Sequence, residues 1–202
     1  MTLQLQLEAL NQACSDCRRC PLAAERQQVV VSRGNPSARV LLIGEAPGAD
    51  EDSSGQPFVG RSGQLLDRLL LQAGLDPRED LYLCNAIKCR PPANRRPRPA
   101  ELAACRPWLA QQIRLVDPVL VLLVGGTALE AVLAIKGGIT RLRGQWQGAD
   151  QGPMAADLRG RQLMPLLHPS YLLRFAAETE GSPRALTRTD LQEVRRQLSA
   201  LV

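Results

Sequence analysis

The sequence predicts an α/β fold built on a mainly parallel sheet covered on both faces by helices. Three observations carry that reading. Short apolar runs alternate with longer helical stretches along the 202 residues, the order of strand–helix–strand units. The runs at 39–43 and 118–124 are almost unbroken in Val, Leu and Ile, as strands buried on both faces must be. Both end in glycine, where a buried strand leaves its sheet.

Element by element, residues 2–13 form an amphipathic helix, and Cys14 to Cys20 a cysteine-rich turn. A short β run is expected at 27–31 (Gln-Gln-Val-Val-Val). Strand 39–43 feeds the loop from Gly44 to Gly60, and a helix from Ser62 to Ala73 is stopped by Gly74. Strand 81–87 runs into a loop rich in Arg and Pro, and a helix over 100–115 follows, its start marked by Pro99 and Glu101. Strand 118–124 ends at Gly125-Gly126, with a helix to about 135. The Gly-rich, polar stretch 136–159 is expected to be a hairpin or loop around Trp146. Strand 162–167, the segment His168 to Arg174 and a helix over 184–200 complete the chain.

Aromatic residues are scarce, at two each of Trp, Tyr and Phe, so the core rests on Leu, Val, Ile and Ala and each ring invites a functional question. The net charge of +5 is carried almost wholly by arginine, since Lys88 and Lys136 are the lysines; such a surface suits a polyanionic partner. No apolar stretch is long enough to span a bilayer. The first ten residues lack a basic region followed by an unbroken apolar one, so no signal peptide is expected there. A cytoplasmic location follows as the expectation, and there the six cysteines would not be structural disulfides.

The loop after strand 39–43 places Gly44, Gly48, Gly55 and Gly60 among Glu45, Asp50, Glu51 and Asp52, with Phe58 beside them. Neither the Gly-Lys-Ser/Thr ending of a phosphate-binding loop nor GxGxxG is present. Glycines that let backbone approach closely, with carboxylates and one ring, suit a flat, polar, neutral ligand at the carboxyl end of a sheet. His168 is the sole histidine, and it follows a strand whose end should lie beside that loop. A carboxylate and an imidazole facing each other across a pocket can work as an acid–base or electrostatic pair.

Cys14 and Cys17 form a C-x2-C turn that Cys20 extends at the same spacing. Cys89 and Cys105 flank the Arg/Pro loop, and Cys84 lies within a strand, pointing into the core. Two close and two distant cysteines can supply four thiolates to zinc or to an iron–sulfur cluster, and spacing does not choose between them. Such a centre would hold rigid the loop bearing Lys88, Arg90, Arg95, Arg96 and Arg98, which suits a phosphate backbone.

Taken in order, Gly44-Glu45-Ala46-Pro47-Gly48, Pro57-Phe58-Val59-Gly60, Asn85, Lys88-Cys89-Arg90-Pro91-Pro92-Ala93-Asn94-Arg95 and His168-Pro169-Ser170-Tyr171-Leu172-Leu173-Arg174 closely resemble the family 4, iron–sulfur branch of the uracil-DNA glycosylases. The resemblance runs from about Cys14 to Arg174. It implies one domain over 1–202, a three-layer α/β/α fold with a central, mainly parallel four-stranded sheet, and residues 1–20 packed through a cluster onto 89–105. It implies a [4Fe–4S] cluster on Cys14, Cys17, Cys89 and Cys105, with Cys20 and Cys84 outside the pattern. The partner it implies is uracil-containing DNA, met by a monomer. Uracil must be flipped from the stack to be cut. Glu45, Ala46, Phe58, Asn85 and His168 would bind it: Phe58 stacking, Asn85 reading the O4/N3 edge, His168 donating to O2. His168 with Glu45 or Glu51 would be catalytic, the carboxylate positioning water. Ala46 stands where the best-known family has a water-activating Asp. Arg90, Arg95, Arg96, Tyr171, Leu172 and Arg174 would contact DNA, with Tyr171 to Arg174 entering the duplex. The region 53–58 lacks the histidine-bearing basic insertion of the branch trapped covalently on its product, so ordinary turnover is expected. Two alternatives accompany this reading: a non-catalytic iron–sulfur DNA-binding adaptor, and a glycosylase of broader deaminated-base specificity.

Overall fold

A computed structural model of the chain describes residues 2–175 and 177–201. Five strands form one sheet: β1 (Arg33–Gly34), β2 (Val40–Gly44), β3 (Leu81–Asn85), β4 (Leu120–Val124) and β5 (Gln162–Leu166). The helices are α1 (Leu3–Ser15), α2 (Ala49–Ser54), α3 (Arg61–Gln72), α4 (Pro99–Val116), α5 (Gly126–Leu133), α6 (Ile139–Leu142), α7 (Ala155–Leu158), α8 (Pro169–Leu172) and α9 (Pro183–Ala200). The sheet order is β1-β3-β2-β4-β5, with β1 antiparallel and every other pairing parallel.

Burial of the central strands on both faces is visible in how their side chains divide. Leu41, Ile43, Tyr82, Cys84, Val121 and Leu123 pack in one apolar cluster with α1, α4 and α5. Their neighbours Val40, Leu42, Leu83, Leu120 and Leu122 pack in the other, with Leu65, Leu66, Leu69 and Leu70 of α3 and Leu191, Val194 and Leu198 of α9. Successive side chains of a strand point to opposite faces, so each strand feeds two cores at once and becomes a continuous apolar run. The three-layer architecture follows.

The fifth strand corrects the expected count of four, and the expected β run at 27–31 is not a strand. Its backbone bonds elsewhere. Gln27 and Gln28 N–H donate to Asp52 Oδ1 (3.0 and 3.3 Å), and Val30 N–H donates to the Lys88 carbonyl (2.8 Å). The chain pairs with β3 at Arg33 and Gly34, and Asn35 N–H then donates to the Leu81 carbonyl (2.9 Å). There Gly34, at φ +92°, clears the Leu81 carbonyl that a β-carbon would strike. Between 136 and 159 lie two single-turn helices and one bridge, Gln147 to Leu163, so this stretch is a loop rather than a full hairpin.

Candidate active site

The carboxyl ends of β2, β3, β4 and β5 open into one pocket lined by Glu45, Ala46, Phe58, Asn85, Gly125 and His168, with Asn94, Arg95, Tyr171 and Arg174 at its borders. Strands β2 and β3 end in register, Gly44 beside Asn85. A β-carbon on Gly44 would collide with Asn85 Oδ1 and come within 2.5 Å of Phe58 Cζ, so this position must be glycine for ring and amide to share the pocket. Asn85 is 2% exposed, and its side-chain amide makes no hydrogen bond with a described residue, leaving it available to a ligand.

Phe58 sits in left-handed backbone (φ +59°), a costly conformation for an aromatic residue. Two features maintain it. Gly63 leaves room for the Phe58 carbonyl, which a β-carbon would strike. Arg33, on edge strand β1, donates to the carbonyls of Pro57 (2.8 Å) and Phe58 (3.4 Å) and pairs with Asp67 at 2.6 Å. No local sequence pattern marks Arg33 for this role.

Glu45 and Glu51 have separate environments. Glu51 accepts from three backbone N–H groups, those of Gly48 (3.0 Å), Val59 (2.9 Å) and Gly60 (2.8 Å), and so ties the two ends of the acidic loop together. The Glu45 carboxylate makes no such bond among the described residues. It faces His168, whose pKa it acts to raise, while burial has the larger effect and holds that pKa below 6.5. His168 Nδ1 lies 2.7 Å from Ser170 Oγ and accepts from Ser170 N–H at 3.2 Å. A ring nitrogen that accepts is unprotonated, so the neutral imidazole carries its proton on Nε2. Gly125, at φ +90°, lets the ring lie close by, since a β-carbon there would be 3.1 Å from His168 Cβ and Cδ2.

A second cavity lies under the Arg/Pro loop, walled by Cys14, Cys17, Cys20, Cys89, Cys105 and the buried Lys88. None of the cysteines is disulfide-bonded. Three sulfurs receive N–H donors: Cys17 from Trp108 Nε1 (3.3 Å), Cys89 from Arg26 (3.4 Å) and Cys105 from Lys88 N (3.3 Å). Burial pushes the thiol of Cys14 up to about 12, that of Cys105 to about 11, and that of Cys89 above its usual value, so ionising them requires a strong nearby positive charge such as a metal. No three His, Cys, Asp or Glu side chains among the described residues converge on a single-ion position. Cys84 lies apart, fully buried in β3.

The residues expected at DNA differ in exposure: Leu172 is wholly buried in the core under α8. One helical turn places Tyr171 and Phe175 on the outer side instead, their rings 4.8 Å apart, with Arg174 over Tyr171 at 5.3 Å. Lys88, expected on the basic loop's surface, is 1% exposed. Arg95 binds the buried Glu101 through two hydrogen bonds (2.8 and 2.6 Å), and Arg96 binds Glu130 and Thr127. Among the described residues Arg90 donates only to the neutral Asn94, at 2.7 Å.

Residues 31–195 match the sequence profile described as the Uracil DNA glycosylase superfamily. The chain belongs to this superfamily. It is 42% identical over 172 residues to a type-4 uracil-DNA glycosylase of Thermotoga maritima, covering 83% of each chain. To a type-4 uracil-DNA glycosylase of Pyrobaculum aerophilum it is 35% identical over 173 residues, 86% of this chain and 87% of the relative. A type-5 uracil-DNA glycosylase of Thermus thermophilus is 39% identical over 158 residues, spanning 63% of this chain and 72% of its own. Among these superfamily members the similarity extends furthest along the type-4 enzymes.

Proposed function

We propose that the chain is a DNA-repair glycosylase that hydrolyses the N-glycosidic bond of a flipped deoxyuridine, releasing uracil and leaving an abasic site. Convergence of Phe58, Asn85 and His168 on one pocket is the observation that carries this reading. A non-catalytic adaptor would need the cysteines and the arginines but not those three together.

Each residue then has a physical task. Phe58 stacks on the flipped base. The free amide of Asn85 offers one acceptor and one donor, matching uracil N3–H and O4, whereas the exocyclic amine of cytosine reverses the pattern. As the bond breaks its electron pair moves into the base, and His168 donates from Nε2 to O2, where negative charge collects. A donor fixed in advance in a site poor in water stabilises that charge without reorganisation. Backbone at Glu45 and Ala46 closes round the ring. Glu45, whose carboxylate makes no hydrogen bond among the described residues, aligns the attacking water and offsets positive charge on the sugar. Glu51, spent on three N–H groups, orders the loop. Tyr171, Arg174 and Phe175 border the duplex where the base leaves it, with Arg90 near phosphate. The monomer acts in the cytoplasm on chromosomal DNA.

The cysteine cavity suits a [4Fe–4S] cluster on Cys14, Cys17, Cys89 and Cys105. Those four cysteines line one cavity, and N–H donors to sulfur, as Cys17, Cys89 and Cys105 receive, are how proteins tune such centres. When bound, the cluster joins α1 to the Arg/Pro loop as a structural staple. Cys89→Ala or Cys105→Ala should lose brown colour and stability together, whereas Cys84→Ala should keep both; stoichiometric zinc without iron in anaerobically purified protein would refute the cluster.

The activity is tested by incubating the protein with oligonucleotides containing uracil, hypoxanthine or cytosine at one position, followed by alkaline cleavage. Cleavage confined to the uracil strand is expected. No cleavage of that strand would refute the enzyme reading, and equal cleavage with hypoxanthine would establish the broader specificity.

A further inference from the structure

Lys88 is among the largest fully buried side chains of the chain, 1% exposed, and has no carboxylate partner among the described residues. A buried cation without a counter-charge is costly. Two observations show where this one is satisfied. Its Nζ donates to the main-chain carbonyl of Asn85 at 2.6 Å, within the buried end of β3. The same side chain borders the cysteine cavity, acts electrostatically on Cys14, Cys84 and Cys105, and its own backbone N–H donates to Cys105 Sγ.

We infer that Lys88 is a positioning residue that links the cysteine centre to base reading: its charge is balanced by the metal-bound thiolates, and its Nζ holds the Asn85 backbone that aims the reading amide. Four thiolates on a [4Fe–4S] core leave the assembly net negative, which supplies the counter-charge the protein itself lacks here. Without the centre the cation has no local compensation, and the Asn85 carbonyl loses a donor held in place. The state of the centre is thereby expressed at the pocket through one side chain. This inference rests on the glycosylase and cluster readings above.

The test uses iron-loaded protein and Lys88→Met, which removes the charge and the donor while keeping most of the length. Three readouts are taken: the reduction potential of the bound centre, the rate of iron loss to a ferrous chelator, and the affinity for free uracil by ligand-observed NMR. The variant is expected to show a more negative potential, at least tenfold faster iron loss and at least tenfold weaker uracil binding. A merely space-filling lysine would leave the potential unmoved. Should the variant fail to fold, wild-type protein stripped of iron by chelation takes its place, with far-UV circular dichroism monitoring the fold. There, folded protein should show a displaced Asn85 side-chain amide resonance and tenfold weaker uracil binding. Iron-loaded Lys88→Met with wild-type potential and uracil affinity, or folded iron-free protein that binds uracil unchanged, would overturn the inference alone. Anaerobically purified protein without iron would overturn the cluster reading and this inference with it.

Discussion

Ser170 determines which nitrogen of His168 holds the proton: its N–H and its Oγ both face Nδ1, at 3.2 and 2.7 Å, and leave Nε2–H for the pocket. The imidazole is therefore a neutral donor fixed in place, and its surroundings keep it so. Burial lowers the His168 pKa below 6.5 despite the opposing pull of Glu45.

One consequence is a pH profile. With the folded value depressed, the unfolded chain binds a proton near pH 6.5 that the folded chain refuses. The histidine thus contributes stability that is present above pH 6.5 and lost as pH falls through the folded value. Because this is the only histidine, imidazole nitrogen NMR reads it without ambiguity. The expected spectrum at pH 7 is that of a neutral ring protonated on Nε2, titrating below 6.5. Excision should not decline as pH rises from 6.5 to 8. A charged ring at pH 7 would contradict this account of the donor.

The two glutamates should separate by stability and rate. Glu51→Ala leaves three loop N–H groups without their acceptor and should cost on the order of 3 kcal/mol in denaturant unfolding. Glu45→Gln touches no hydrogen bond among the described residues. It should change stability by less than about 0.5 kcal/mol while slowing single-turnover excision by about 10²-fold. The reverse assignment would show as a slow but fully stable Glu51→Gln.

The arginines divide likewise. Arg174→Ala should lower the salt slope of DNA binding by about one unit, as loss of one phosphate contact does. Arg95→Ala should act chiefly by leaving the buried Glu101 without its partner, which appears as a lower melting temperature. At the duplex border, Phe175→Ala should weaken retention of abasic DNA. Leu172→Ala should destabilise the fold by about 2–5 kcal/mol. An unchanged salt slope in Arg174→Ala would move the phosphate contact elsewhere on the surface.

How much of this was legible in the sequence depended on whether one local pattern decided the outcome. The four parallel strands were, because burial on both faces leaves unbroken apolar runs, and the pocket was, because its residues follow strand ends. The Val29-Val30-Val31 run misled because the Asp52 side chain and the Lys88 carbonyl, both distant in sequence, claim the neighbouring N–H groups. Leu172 and Lys88 are buried for opposite reasons, which no local pattern shows. A single turn, α8, rotates the leucine inward, and a lysine flanked by Ile87 and Cys89 is drawn into the core, although charged residues ordinarily stay at the surface. The clamp made by Glu51 depends on the chain returning eight and nine residues later at Val59 and Gly60, which no short-range pattern encodes.

Whether a neutral His168 stabilises the charge on departing uracil is decided by single-turnover excision with His168→Ala. A rate lower by about 10²–10³ is expected, with affinity for abasic product DNA nearly unchanged. Excision at the wild-type rate would contradict that role and leave the histidine a structural residue of the β5 end.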